Sequence, residues 1–376
     1  MSGRGRAGEE VGVFFKANQG VSNMPHAKRL QSLKNLMQAQ GIAALLVTHP
    51  ANRYYLSGFE LHDGQCNESS GCLLINSQDR DWLLTDARFT EEARSHWPAE
   101  HVHVYGAPRV EKIAAFVKSL GIDELWVETH AMCAETYLEL GRMMTLRPAP
   151  RLVEELRTVK DAGELAQLRA SCALNHRVYE ALRPRLVPGV TEREVAWMLE
   201  QEFRAGGAEG LSFAPIVGFG PNGALPHATP GEARLKAQTP VLIDMGGRLD
   251  GYCSDQTRTW WIGEGPTDEF RRTLELVQEA QALAIAKVAP GVSTADLHST
   301  ARDFFARHGV AHHFTHSLGH GIGLETHEAP GVGPIRPTVL APGMVITVEP
   351  GLYYPEWGGV RWEHMVVVTE DGHEVL

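Results

Sequence analysis

Residues 241–263 read VLIDMGGRLDGYCSDQTRTWWIG, and residues 345–368 read VITVEPGLYYPEWGGVRWEHMVVV. Each stretch has the pattern of a β-hairpin around a glycine-rich turn and carries two carboxylates. Asp244 directly follows Val241-Leu242-Ile243, and Glu349 directly follows Val345-Ile346-Thr347-Val348. Asp255 and Glu363 stand beyond the turns. An ionised carboxylate in a buried apolar strand is costly unless a cation accompanies it. Four converging carboxylates would repel one another, and metal is the simplest relief. Carboxylates plus one imidazole suit two hard or borderline divalent ions, held roughly 3.5–4 Å apart by bridging carboxylates. The imidazole is expected from THSLGHGIGLETHEAPG (315–331), where His316, His320 and His327 stand among Gly319, Gly321 and Gly323. Glycine there permits close backbone approach.

Working outward, the two stretches belong to a longer repeat. PGVT at 188–191 returns as PGVS at 290–293, each followed three residues later by an acid, Glu194 or Asp296. GFG at 218–220 returns as GHG at 319–321, and HATPG at 227–231 as HEAPG at 327–331. A long helix is expected before each half, at 161–182 and 267–288. Common order and near-constant spacing point to two halves packed about a pseudo-twofold axis, with the site on that axis. Aligning GFG with GHG sets His320 opposite Phe219. One half then supplies an imidazole where the other supplies an apolar side chain.

Helix and strand patterns alternate from residue 23 to 150, the signature of a small α/β domain. RPAP at 147–150 is the expected boundary, and residues 151–376 are expected to form the second domain, which carries the two hairpins. Residues 1–22 are expected to be a mobile tail; they lack the apolar core of a secretory signal. The 376 residues carry 35 basic and 46 acidic side chains, a formal charge of −11. That leaves no footprint for nucleic acid or anionic membrane, and no apolar run is long enough to span a bilayer. Five widely spaced cysteines with no C-x-x-C pair read as reduced thiols, so the chain is expected to be cytoplasmic.

PNGALPH (221–227), VLIDMGGRLDGYCSDQTRTW, HSLGHGIGLETHEAP, VITVEPGLYY and GGVRWE together resemble the pita-bread metallopeptidases, in the branch of the Xaa-Pro aminopeptidases and prolidases. ANRYYLSGF and LLTDARFTEEA resemble the creatinase-like α/β N-terminal domain of that branch. The resemblance implies an α+β pita-bread catalytic domain holding two divalent ions, commonly manganese, with cobalt, zinc or iron also found. It implies that Asp244, Asp255, His320, Glu349 and Glu363 are the ligands, with Asp255 and Glu363 bridging. His227, His316, His327 and Arg361 match the family's substrate-contacting residues; Glu349 matches its general base, and His227 and His327 assist catalysis. Peptides with proline at the second position are the implied substrates, and a homodimer is expected.

Two positions depart from the family pattern. His364 follows Glu363, and Trp362 precedes it, where Asp and a smaller apolar residue are usual. Gly331 stands where many relatives carry an Arg that grips a dipeptide's carboxylate, and Arg336 lies a few residues on. The expectation is therefore an Xaa-Pro aminopeptidase, with an Xaa-Pro dipeptidase as the alternative. A non-catalytic peptide-binding protein on the same fold is the alternative of another class. Such proteins, like the metal-free creatinase-type amidinohydrolases, do not keep all five ligands. No G-x-S-x-G elbow supports a serine hydrolase.

Overall fold

A computed structural model describes residues 25–376 apart from Gly64 and Cys66. The expected tail at 1–22 therefore lies outside the described residues, as do the turn read at Gly64 and the thiol of Cys66.

The first part of the chain runs α1 (Pro25–Ala39), β1 (Ala44–Val47), α2 (Pro50–Ser57), β2 (Gly71–Asn76), β3 (Trp82–Asp86), α3 (Thr90–His96), β4 (Val102–Tyr105), α4 (Arg109–Ser119), β5 (Glu124–Val127), α5 (Ala134–Gly141) and β6 (Thr145–Pro148). Its six strands form one sheet in the order β4-β3-β2-β1-β5-β6. The β2–β3 hairpin comes out as the pattern predicts. Helix α2 is not predicted by periodicity, because only eight residues separate Pro50 at its first turn from Gly58 at its left-handed cap. RPAP begins inside the sheet: Arg147 and Pro148 complete β6, an edge strand, where proline's missing N–H is tolerated.

A short helix α6 (Leu152–Thr158) leads into the second part. There α7 (Ala162–Leu182), α8 (Glu192–Ala205), β7 (Gly210–Leu211), β8 (Ile216–Phe219), β9 (Thr239–Met245), β10 (Gly247–Leu249), β11 (Tyr252–Cys253) and β12 (Gln256–Ile262) form the first half. The second half is α9 (Asp268–Ile285), α10 (Thr294–Arg307), β13 (Gly319–Gly321), β14 (Glu328–Val332), β15 (Val345–Val348), β16 (Gly351–Tyr354), β17 (Gly358–Arg361), β18 (His364–Val368) and β19 (His373–Val375). Both halves show the same local chemistry. Asp161 and Thr191 close capping boxes with Glu164 and Glu194, and Thr267 and Ser293 cap α9 and α10. Thr191 bridges to Arg234, as Ser293 bridges to Val339. Antiparallel β8–β9–β12 is matched by antiparallel β13–β15–β18. This is the pseudo-twofold α+β architecture the repeat implies.

Apolar residues from both parts share one core. Leu33, Leu56 and Phe59 pack with Leu152, Leu168, Tyr252, Ile322, Val345 and Met365. Each such fully buried large side chain contributes about 1.5–3 kcal/mol. Among the described residues no helix is long and apolar enough to cross a membrane, and Cys72, Cys133, Cys172 and Cys253 are free thiols.

Candidate metal centre

The two hairpins deliver their carboxylates to one place. In the first, Asp244 pairs across the ladder with Thr257. Asp255, two residues before Thr257, therefore shares its face, since strand side chains alternate. In the second, Val348 pairs with His364, and Glu349 and Glu363 stand one step beyond that pair. His320, on β13, points its Nε2 at Asp255 Oδ2 (3.5 Å) and Glu349 Oε1 (3.4 Å). Ligand atoms of Asp255, His320 and Glu363 all lie within 4.8 Å of one another.

The electrostatics are those of a site built for cations. Burial, reinforced by Glu363, Asp244 and Glu349, pushes the Asp255 carboxyl well above the ordinary range. Glu363 is driven up by burial and then by Glu349 and Asp244. Glu349 is pushed up by burial to about 8. Among the described residues, Asp244 Oδ1, Asp255 Oδ1 and Glu363 Oε1 are buried with no hydrogen-bond partner. Orphaned buried acceptors are rare and need an explanation, and a cation supplies one. The imidazole fits as well. His320 Nδ1 donates to Gly321 O (3.1 Å), which leaves the Nε2 lone pair facing the carboxylates. Burial holds this ring neutral, down to about 4.

Supporting hydroxyls fix the acids. Thr347 Oγ1 donates to Glu349 Oε1 (3.2 Å), and Thr257 Oγ1 to Glu363 Oε2 (2.8 Å). His364 is held by two partners. Arg258 Nη2 donates to its Nε2 (2.9 Å), and its Nδ1 donates to Gln281 Oε1 (3.1 Å). Gln281 Nε2 in turn donates to Val348 O and Trp362 O. The His364 departure thus braces the ends of β15 and β18 beside Glu349 and Glu363. Arg258 also lies 4.6 Å over the Trp362 ring.

A cleft of about 640 Å³ opens over the carboxylates, and all of its lining lies within residues 213–361. His227 and His327 stand exposed in its wall. The N-terminal domain lends the cleft no lining residue among the described residues. Arg336 is exposed on the loop after β14 and is not part of the lining either.

One expectation, the match of Phe219 with His320, changes in the structure; Arg361 and His316, expected to touch substrate, do line the cleft, with their polar atoms also bonded inward. Phe219 does not mirror His320. It pairs with Val241, three residues before Asp244, so it faces the opposite way, into the core with Val217 and Ile243. Ile216, which pairs with Asp244, lines the cleft from the first half. Arg361 is 2 % exposed. Its Nη2 donates to Asp244 Oδ2 (2.6 Å), Nη1 to Tyr353 Oη (2.8 Å) and Nε to Thr257 Oγ1 (2.9 Å). His316 is bonded through both nitrogens. Arginine has only donors, so the Tyr353 proton goes to His316 Nε2 (2.8 Å) and His316 Nδ1 donates to Ser317 O (2.7 Å). Tyr353 lies in the quoted GLYY motif, but nothing in the sequence marks it as the link between Arg361 and His316.

The profile of metallopeptidase family M24 matches residues 166–370, and that of the creatinase/prolidase N-terminal domain matches residues 29–159. The chain belongs to metallopeptidase family M24. Among M24 relatives, the uncharacterized peptidase YqhT of Bacillus subtilis is 34 % identical, over 93 % of this chain and 97 % of its own. The solved structure of an Xaa-Pro dipeptidase from Bacillus anthracis matches with a TM-score of 0.87 and 34 % identity, covering 93 % of this chain and 97 % of that one. An X-Pro aminopeptidase from Thermotoga maritima matches with 0.80 and 32 %, covering 89 % and 95 %. The fold is the pita-bread catalytic domain behind a creatinase-type N-terminal domain, and M24 membership implies divalent metal.

Proposed function

We propose that this M24 hydrolase removes an N-terminal residue that precedes proline, using two divalent ions held by Asp244, Asp255, His320, Glu349 and Glu363, with Asp255 and Glu363 between them. Manganese is the metal we favour. The observation that carries this reading is the trio of orphaned carboxylate oxygens, on Asp244, Asp255 and Glu363, around a neutral imidazole lone pair. Such ions, when bound, lower the pKa of water and polarise the scissile carbonyl.

The chain's own groups divide the remaining work. Glu349 Oε1 is taken by Thr347, so Oε2 accepts the proton released during attack. Arg361 holds Asp244 in place and, through Tyr353, orients His316. His227 and His327, the exposed imidazoles of the cleft, steady the oxyanion and protonate the leaving proline nitrogen. The cleft admits a chain end. Gly331 is exposed on β14 and, like Arg336, is not among the residues lining the cleft. No Arg side chain occupies that position, so a dipeptide's carboxylate lacks this partner.

Removal of dipeptides is the second reading, favoured by the Xaa-Pro dipeptidase from Bacillus anthracis among the similar structures. The test is metal analysis of the purified protein followed by hydrolysis of Xaa-Pro peptides. Two equivalents of metal with proline-dependent cleavage are expected. A metal-free protein that binds such peptides without cutting them would replace this reading with the non-catalytic one. A cytoplasmic homodimer remains our working assembly.

A further inference from the structure

The segment Leu324–Glu328 is tied down at every residue except His327. Arg248 donates to Leu324 O, and Thr326 Oγ1 donates to Ser212 O (2.9 Å). The flanking acids Glu325 and Glu328 are both gripped by Arg157 Nη2. Lys160 Nζ adds a contact to Glu328 Oε2 (3.3 Å), and His49 Nε2 adds one to Glu325 Oε1 (3.2 Å). Glu328 Oε1 also accepts from Glu325 N (3.0 Å), closing the turn that carries His327. His327 itself is left exposed in the cleft, its ring 4.2 Å from that of His320.

Arg157 is itself held from the N-terminal domain. Its side chain is 3 % exposed, and Nη1 donates to Asn52 Oδ1 (2.6 Å). Asn52 Nδ2 donates to Glu128 Oε1 (2.6 Å) and Glu154 Oε1 (3.0 Å). Glu128 Oε2 takes the backbone N–H groups of Thr48 and His49. An unbroken buried network therefore runs from α2 and the end of β5, through α6, to the two residues beside His327. A planar guanidinium that holds Asn52 through Nη1 and both acids through Nη2 fixes direction as well as distance.

We propose that Arg157 is a positioning residue, through which the N-terminal domain sets the place of the His327 imidazole over the metal centre. The inference rests on the proposed catalytic role of His327. It assigns the N-terminal domain a duty other than walling the cleft.

A double-mutant cycle on the metal-loaded enzyme tests it. Glu325→Gln is expected to lower kcat by about 10–10²-fold, the scale of a misplaced catalytic group, with KM and metal content unchanged. In a His327→Ala background the same substitution is expected to cost nothing further, because its effect passes through that ring. Arg157→Lys, which keeps the charge but loses the fork, is expected to fall between wild type and Arg157→Gln. Losses that multiply in the double variant would overturn the proposal. Glu325, with its side chain 40 % exposed, carries the cycle even if Arg157→Gln does not fold. Should the wild type cut no Xaa-Pro peptide, the proposed activity fails separately. Hydrogen exchange of residues 324–328 then decides the anchoring: faster exchange in Glu325→Gln confined to that segment supports it, and unchanged exchange overturns it.

Discussion

Two clusters of acids, one at the joint between the domains and one inside the catalytic domain, differ in one respect. Around Arg157, the acids Glu325, Glu328 and Glu128 have both oxygens engaged by protein donors. There the partners hold Glu325, despite its burial, down to about 2. Around His320, Asp244, Asp255, Glu349 and Glu363 share one guanidinium, three oxygens have no partner, and Glu349 rises to about 8. The first cluster brings its own cations and is a joint. The second lacks them and is a receptor for cations. Burial of acids alone does not separate the two; the supply of positive charge does.

The most severe way to break this contrast is to remove the charge of Asp255 or Glu363. Asp255→Asn or Glu363→Gln is expected to abolish activity and lower bound metal, read by elemental analysis beside a peptide assay. Full metal and full activity in either variant would mean the second cluster is merely another joint.

Next in size is His227→Ala. Both metals are expected to stay while kcat falls by about 10²–10⁴-fold, the range for a proton-transfer group. Metal loss in that variant would move His227 into the receptor cluster.

A smaller effect concerns the cleft above. Xaa-Pro-Xaa peptides are expected to exceed Xaa-Pro dipeptides in kcat/KM by roughly tenfold, for one missing charge-assisted contact of about 1.5–3 kcal/mol. Gly331→Arg is expected to narrow that ratio. If dipeptides win and Arg336→Ala selectively destroys their cleavage, the dipeptidase reading stands.

The gentlest probe is pH, where Glu349 and Glu325 have opposite signs. Acids raised in the fold stabilise while protonated and lose that contribution as pH rises through their folded values. Chelated protein is therefore expected to lose Tm as pH climbs through about 8, the value of Glu349, and bound metal is expected to remove the loss. Glu325 and Glu154, both held to about 2, act the other way. Their contribution is present above the ordinary carboxylate pKa and is lost as pH falls toward 2. Scanning calorimetry with and without metal reads both limbs. A chelated Tm that rises through pH 8 would contradict the receptor assignment.

Much of the fold was legible because its signals are local. The capping boxes at Asp161 and Thr191 need only residues three apart, and such a signal lies wholly within the local sequence. Helices α2 and α5 were not read, being eight residues each, too short for a helical period to stand out. Matching GFG with GHG captured the repeat but misplaced Phe219, because glycine matches say nothing about strand parity.

The sequence by itself determined the ligand types, their order along the chain and the twofold logic of the hairpins. Those follow from carboxylates set at the ends of apolar runs, a property of neighbouring residues. Tertiary structure alone decided that Arg361 turns inward to Asp244, 117 residues away, and that Arg157 reaches Glu325 and Glu328 across 168 and 171 residues. Both depend on how packed sheets and helices close over one another. No local period in the sequence encodes which distant charge will be sealed beside which.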